Sequence, residues 1–581
     1  MEEYIWHKHK WPETVKKTLD YPNEPLFKIL ENTAAKSPEL AFTKFHVKGG
    51  KTTTYLEINE LSDKVANFLA SKGIKKGDKV ALFLPNTPHY PAVFFGILKA
   101  GATAVTCNPS YTQDELSYQL KDSEAVMVFC LDHENFTPKT YEAIKGTKVN
   151  HVVVCSVKEF QSKLIGFIGG LTGQIPKSPF YEEDKTIFFK DIVSSYAPKK
   201  PNVTINPKED LAMLIYTGGT TGVPKGVMIT HHNMYSNVLQ INEWVQLVPD
   251  DGGPPEPFRY AKEVFIGALP WYHSYGLTLT LVTGALIGAT IIPIPDPRAG
   301  DPPLTVVLEA IDKYNGTVLH AVPTIYSAIV NHPKVDEYDL TTLRGAGSGA
   351  APLAPELAKE WERVTGGVIF EGYGLSETSP AAVISPTNKK TRKFGAIGFP
   401  ISDTVIKIVD LETGRKELPH GEDGEVAIAG PQVMKGYWKR LDATNEVMRE
   451  LDGLRFFLSG DIGHLDEEGY LVITDRKKDM INVSGLKAYP REIEDIFYEH
   501  PKVQLAAVIG LPREDDPTNE YVAAYLVLKE GEEATEAEIL EWCKDKMAGY
   551  KRPRTVEFRE SLPTSLVGKV LRRVIKEEVL E

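Results

Sequence analysis

A chain of 581 residues is too long for one hydrophobic core and implies several domain-sized units. Its 42% hydrophobic and 25% charged residues are those of an ordinary folded protein, and a net charge of −13 with a pI near 5.7 argues against general affinity for nucleic acid, which needs a basic face. Cys107, Cys130, Cys155 and Cys543 show no CxxC spacing and suit a reducing cytosol, and the opening "MEEYIWHKHKWPETVKK" has no apolar signal region.

In chain order, strands and helices alternate. "KVALFLPN" (79–86) reads as a buried strand and "PHYPAVFFGILKAGA" (88–102) as the apolar helix after it. Thr112 and Glu115 form a capping box that starts the next helix, and "AVMVFCL" is a further strand. "KLIGFIGGLTGQIPK" (163–177) lies in an insert spanning 158–200. It puts Leu164, Ile165, Phe167, Ile168, Leu171 and Ile175 on one helical stripe between lysines, as in an interfacial helix or a packed surface excursion. "EVFIGALP" and "TVLHAVPTIYSAIV" continue the alternation, so the expected fold is α/β, a large region of mostly parallel sheets covered by helices.

Residues 265–295 carry no Asp, Glu, Lys or Arg, and "SYGLTLTLVTGALIGATII" is long enough to cross a bilayer. Its threonines and glycines, with no flanking basic cluster, favour a buried helix or strand pair instead. Pro-rich stretches at 248–258 and 293–303 read as surface loops. After about residue 405 short strands with turns ("TVIKIVD", "GEVAIAG", "GYLVIT") predict a small β-rich subdomain. Past "DRKKDM" the last hundred residues read as a small α+β unit, with one helix capped by Thr535 and Glu538.

Three stretches invite a chemical reading. "YTGGTTGVPKGV" (216–227) has the Gly, Thr and Lys of a phosphate loop but not the P-loop order, because Lys225 follows Pro224 and precedes Gly226. "GAGSGA" (345–350) satisfies G-x-G-x-x-A and is followed by a helix and a strand ending near Glu371, yet the preceding "DLTTLR" makes a poor buried strand for a dinucleotide site. "GLSET" (374–378) lacks the last Gly of a nucleophile elbow, and the histidines lack zinc-ligand spacing.

The motifs acquire meaning together. "YTGGTTGVPKGV" is followed in order by "LPWYHSYG" (269–276), "GSGAAPL" (347–353), "YGLSE" (373–377), "SGD" (459–461), "DRKKDMINVSGLK" (475–487) and "PTSLVGK" (563–569). The set resembles the adenylate-forming superfamily over nearly the whole chain. The resemblance implies an adenylation domain over 1–477, containing the β-rich subdomain at 405–474, and a mobile C-terminal domain over 478–581 that carries a catalytic lysine.

It also implies roles. Thr217, Gly218, Gly219, Thr220, Thr221 and Lys225 would wrap the pyrophosphate of ATP; the family usually has Ser where Gly218 stands, so one hydroxyl is missing. Ser376, in place of the commoner Thr, would meet the α-phosphate, and Glu377 would hold Mg²⁺; a carboxylate at a helix N-terminus is the bland alternative for Glu377. Gly349, Ala350, Gly372 and Tyr373 match walls around adenine and the acid. Asp461 and Arg476 match the ribose contacts, and His273 counts among the catalytic residues. Lys569 matches the lysine that bridges carboxylate and α-phosphate, Lys478 the hinge, and Gly485 with Lys487 the side that admits CoA.

The implied reaction is ATP-dependent activation of a carboxylic acid as acyl-adenylate with release of pyrophosphate, then transfer to CoA with release of AMP. "DRKKDMINVSG" and "YPREIED" resemble the fatty acyl branch most; an aryl or short-chain acid–CoA ligase is the rival, and a non-catalytic nucleotide-binding protein the alternative of another class. The expected partners are therefore a fatty acid, ATP, Mg²⁺ and CoA. A cytoplasmic location, peripheral contact with the inner face of a membrane and a homodimer are further expectations.

Overall fold

The computed structural model describes residues 4–171, 175–217, 223–247, 256–484, 486–513, 519–564 and 570–580. Runs of β-branched and aromatic residues form two large sheets. In the first, the strands lie in the order Gly436–Tyr437, Lys225–Thr230, Leu211–Thr217, Thr103–Thr106, Lys79–Phe83, Ala125–Leu131, His151–Cys155 and Thr186–Phe188. Only the first two run antiparallel to their neighbours. In the second the parallel centre is Val368–Gly374, Gly345–Ser348, Val318–Ala321, Val264–Gly267, Thr290–Pro293 and Ala41–Lys44, with antiparallel strands at both edges.

Successive strand residues point to opposite faces, and both faces are covered. Val80 and Leu82 join Phe265 and Ile291 in one core between the sheets, whereas Ala81 and Phe83 pack on the outer face of the first sheet and Ile266 and Ile292 on that of the second. The helices Tyr55–Ser71, His89–Lys99 and His231–Trp244 contribute to the shared core, and every residue of His89–Lys99 is buried. Even Lys99 is enclosed, its ammonium 2.7 Å from Asp63. The α/β expectation holds.

The charge-free stretch is part of this core. Gly276–Val282 forms a π-helical turn, Thr283–Ile287 a short α-helix and Thr290–Pro293 a central strand. Among the described residues no helix is long and apolar enough to cross a membrane. The insert folds as a short helix, Lys163–Leu171, and its apolar residues divide rather than share one stripe. Ile165 packs on Gly49 and Ile175 is buried against Gly169, while Leu164 and Ile168 are 68% and 44% exposed. The side chains of Phe167 and Leu171 lie outside the described set.

The dinucleotide pattern is also resolved. Gly345 and Gly347 lie inside a strand, not at the turn after one, and are small because Leu247 and His320 pack over them. Beyond residue 400, five short strands from Val405–Val409 to Leu471–Arg476 form a third sheet. The C-terminal residues build a three-stranded sheet (Val503–Pro512, Glu520–Leu528, Thr555–Phe558) with helices Pro490–Tyr498, Glu536–Lys546 and Arg572–Leu580. The capping boxes at Thr112 and the cap at Thr535 are present. All four cysteines are buried and free, and burial pushes each thiol pKa upward.

Candidate active site

The Gly/Thr/Lys motif is the connection of a β-hairpin. Thr217 pairs with Lys225 across the antiparallel strands Leu211–Thr217 and Lys225–Thr230, so the loop joins strand to strand where a P-loop joins strand to helix. Gly218, Gly219, Thr220 and Thr221 lie outside the described residues. The base of the hairpin is gripped from behind. Asp122 accepts from Tyr216 Oη at 2.7 Å and pairs with Arg440 Nη2 at 2.5 Å. Tyr118 Oη donates to the Pro224 carbonyl at 2.8 Å, and the Trp438 amide donates to the Gly226 carbonyl at 2.8 Å.

Glu377 sits in a single turn, Ser376–Thr378, after the strand Val368–Gly374. Its carboxylate is buried and accepts from Tyr437 Oη at 2.8 Å, and its carbonyl accepts from the Met434 amide at 2.8 Å. Burial raises its pKa, opposed by the Tyr437 hydrogen bond and by the charges of Arg476 and Lys225. Lys225 Nζ lies 4.7 Å from the centre of the Tyr437 ring. Among the described residues no three His, Cys, Asp or Glu side chains cluster to cage a metal. A lone carboxylate fits Mg²⁺, which keeps few protein ligands and shares substrate phosphates.

"LPWYHSYG" makes a tight turn beside Ser376. Ser274 Oγ is 3.3 Å from Ser376 Oγ, and Tyr275 Oη donates to the Gly347 carbonyl at 2.6 Å. His273 Nδ1 accepts from the Tyr275 amide at 3.2 Å, and burial lowers its pKa to about 4. At neutral pH the ring is therefore uncharged with its proton on Nε2. Gly349 lies so close to Tyr275 that a Cβ would meet its ring at 3.2 Å; Ala350 has φ +67°, and a Cβ on Gly372 would meet only the Ser348 carbonyl oxygen, at 3.9 Å.

Asp461 and Arg476 oppose each other in paired strands, with Asp461 Oδ1 2.9 Å from Arg476 Nε. Asp461 Oδ2 accepts from Tyr373 Oη at 2.7 Å. The Asp461 carboxylate, expected on ribose, is thus held by two neighbours, one on each oxygen. Ser459, Gly460, Arg476, Lys477 and Lys478 line a cavity of about 250 Å³ at this point. Lys478 and Lys487 are exposed; Gly485 and Lys569 lie outside the described residues. Tyr437, Trp438, Arg440 and Asp122 also belong to the site; for the first three the visible sequence signal is "GYWKR", two aromatics beside two cations, and Asp122 has none.

Residues 30–438 match the AMP-binding enzyme family, and residues 492–569 match its C-terminal domain. The chain belongs to the AMP-binding enzyme family. Within it, the chain is 37% identical to a long-chain-fatty-acid–CoA ligase of Bacillus subtilis, with 98% of each chain covered. It is 36% identical to a probable 4-coumarate–CoA ligase of Dictyostelium discoideum, covering 89% of this chain and 88% of the relative. Among solved structures, ATP-bound MatB from Rhodopseudomonas palustris is similar with a TM-score of 0.77 and 29% identity, covering 96% and 99% of the two chains. This AMP-binding enzyme shares their architecture of large α/β region and small C-terminal unit.

Proposed function

We infer that the chain is an ATP-dependent, AMP-forming fatty acid–CoA ligase. The observation that carries the reading is the junction at Glu377: its carboxylate accepts from Tyr437 Oη at 2.8 Å, and the ammonium of Lys225 from the hairpin sits 4.7 Å from the same ring. In the first step a carboxylate oxygen attacks the α-phosphorus of ATP and the bond to pyrophosphate breaks. In the second the CoA sulfur attacks the acyl carbonyl and AMP leaves. Lys225, Thr217 and the hairpin loop neutralise the β- and γ-phosphates, and Ser376 meets the α-phosphate. Glu377 is the residue that would hold Mg²⁺, which when bound would supply positive charge beside the phosphates. Asp461 and Arg476 hold the ribose. Gly349, Ala350, Gly372 and Tyr373 wall the adenine and the acid, and the neutral His273 stands in the turn beside Ser376.

Lys569 supplies the cation between the two anionic reactants, and a turn about Lys478 then exchanges it for the face bearing Gly485 and Lys487. On this reading the adenylation domain is 1–477, with the β-rich subdomain at 405–474, and the mobile domain is 478–581. Relatives named as long-chain-fatty-acid–CoA ligases support the fatty acid as substrate. Exposed Leu164 and Ile168, flanked by exposed Lys163 and Lys177, support the expected peripheral membrane contact.

A panel of C2 to C18 acids and 4-coumarate, read by pyrophosphate and by thioester, tests the function. Turnover should peak with C12–C18 acids, and preference for 4-coumarate would overturn the fatty acid assignment. Lys569→Ala should abolish pyrophosphate release while ATP still binds, because the lysine's charge acts mainly in the transition state. Flotation with anionic vesicles tests the membrane contact; equal binding after Leu164→Glu with Ile168→Glu would reject it. Sedimentation velocity reads the expected homodimer.

A further inference from the structure

The strand Gly436–Tyr437 belongs to the sequence of the third sheet's neighbourhood but pairs with the outgoing strand of the phosphate hairpin, Tyr437 opposite Val227 and Gly436 opposite Met228. Two hydrogen bonds extend the pairing, from the Lys435 amide to the Met228 carbonyl and from the Trp438 amide to the Gly226 carbonyl, at 2.9 and 2.8 Å. Gly436 adopts φ +148° and lies where a Cβ would meet Thr444 Cγ2 at 2.8 Å, which turns the chain so that Tyr437 enters the site. The Tyr437 amide is fixed on Thr444 Oγ1 at 2.9 Å.

The buried Tyr437 side chain then meets two charged groups at once. Its ring face receives the Lys225 ammonium at 4.7 Å, and its hydroxyl donates to Glu377 Oε1 at 2.8 Å. The same short segment also fixes the Glu377 backbone through the Met434 amide. Lys225 lies in a strand of the first sheet and Glu377 in the turn after a strand of the second, 152 residues apart in the chain, yet one rigid side chain with two rotatable bonds spans them.

We propose that Tyr437 is a positioning residue that sets the spacing between the phosphate-binding lysine, through its ring, and the metal-binding carboxylate, through its hydroxyl. The proposal rests on the roles assigned above to Lys225 and Glu377. A tyrosine that merely fills the core would have no need of a carboxylate partner, and its loss would not single out the metal. The two ends of the side chain are separable. Removing the hydroxyl frees the Glu377 carboxylate to rotate while the cation stays over the ring; removing the ring as well frees both.

Calorimetric titration of ATP, in EDTA and across a Mg²⁺ series, distinguishes these cases in the full-length protein. Tyr437→Phe should leave the affinity for metal-free ATP within about twofold. It should raise the Mg²⁺ concentration giving half of the metal-dependent tightening by about tenfold or more, the scale of one hydrogen bond to a charged group. Tyr437→Leu should weaken metal-free ATP binding too. Glu377→Gln tests the underlying reading separately: it should abolish the Mg²⁺-dependent tightening, and adding Tyr437→Phe to it should change nothing further. A wild-type Mg²⁺ response in Tyr437→Phe, or equal weakening with and without metal, overturns the proposal. A wild-type Mg²⁺ response in Glu377→Gln overturns the role of Glu377 itself.

Discussion

Arg572 Nη1 lies 3.3 Å from Asp475 Oδ1, so the helix following Lys569 is tied to the strand end that precedes Lys478. The same guanidinium forms a bidentate pair with Glu494, one bond at 2.8 Å, and reaches Asp479 at 3.2 Å. Asp475 is 2% and Glu494 11% exposed in their side chains, and Arg572 is the guanidinium both carboxylates face, beside the amides of Arg476, Arg491 and Val508. Arg572→Ala should destabilise the C-terminal unit by about 3 kcal/mol or more, the scale for stranding one partner of a buried pair. Arg572→Lys should recover only part, because an ammonium cannot match the fork. Hydrogen exchange over residues 490–580, slower in the wild type, is the measurement.

Asp122 sets the base of the phosphate hairpin. Asp122→Asn keeps an acceptor for Tyr216 but removes the charge facing Arg440, whereas Asp122→Ala removes both contacts. The expected order of KM for ATP is wild type, then Asn, then Ala, with roughly tenfold for Ala if two hydrogen bonds of about 1 kcal/mol each are partly recovered by water. Pyrophosphate-release kinetics at saturating acid provide the test; unchanged KM in Asp122→Ala would mean the hairpin holds itself.

Gly276 admits no side chain. A Cβ there would stand 2.4 Å from the Pro270 carbonyl oxygen and 2.9 Å from that of Leu269, both backbone atoms. Gly276→Ala must therefore push the turn bearing His273 and Tyr275. We expect more than tenfold loss of kcat/KM for the acid, since small misplacement of positioned groups costs rate steeply. A melting temperature within a few degrees of wild type would show that the loss is local.

Burial lowers the pKa of His320 to about 3, and neither ring nitrogen has a hydrogen-bond partner among the described residues. Its folded pKa lies below the unfolded value near 6.5, so below 6.5 the unfolded chain binds the extra proton. Stability from this group is complete above pH 6.5 and is lost as pH falls towards 3. His320→Phe should stabilise the protein by about 1 kcal/mol at pH 7, by replacing unpaired buried polar atoms. It should also flatten the fall in stability between pH 6.5 and 4 by about 1.4 kcal/mol per pH unit. Urea unfolding at pH 7, 5.5 and 4.5 supplies both numbers.

What the residues announce in advance is governed by range. Alternating apolar runs and capping boxes act locally, so the strand Lys79–Phe83, the helix His89–Lys99 and the Thr112 cap were legible. The charge-free stretch at 265–295 was ambiguous because a core enclosed by two sheets and a bilayer ask for the same side chains. The stripe at 163–177 misled because periodicity cannot tell that Ile165 faces Gly49 while Leu164 faces outward. Motif residues such as Glu377 and Asp461 could be singled out, but Tyr437, 60 residues beyond its partner Glu377, becomes visible only when the sheets bring them together.

The four buried cysteines bear on the product. Thioesters exchange with any thiolate they meet, and an enzyme that makes them from CoA would lose product to a reactive sulfur of its own. Cys107, Cys130, Cys155 and Cys543 are each fully enclosed, and burial holds their thiols protonated at neutral pH, up to about 12 for Cys130 and about 11 for Cys543. The only nucleophilic sulfur at work is thus the one that CoA brings. The chain can stand beside an activated acyl group without being acylated on cysteine, and alkylating reagents should leave it untouched while it stays folded.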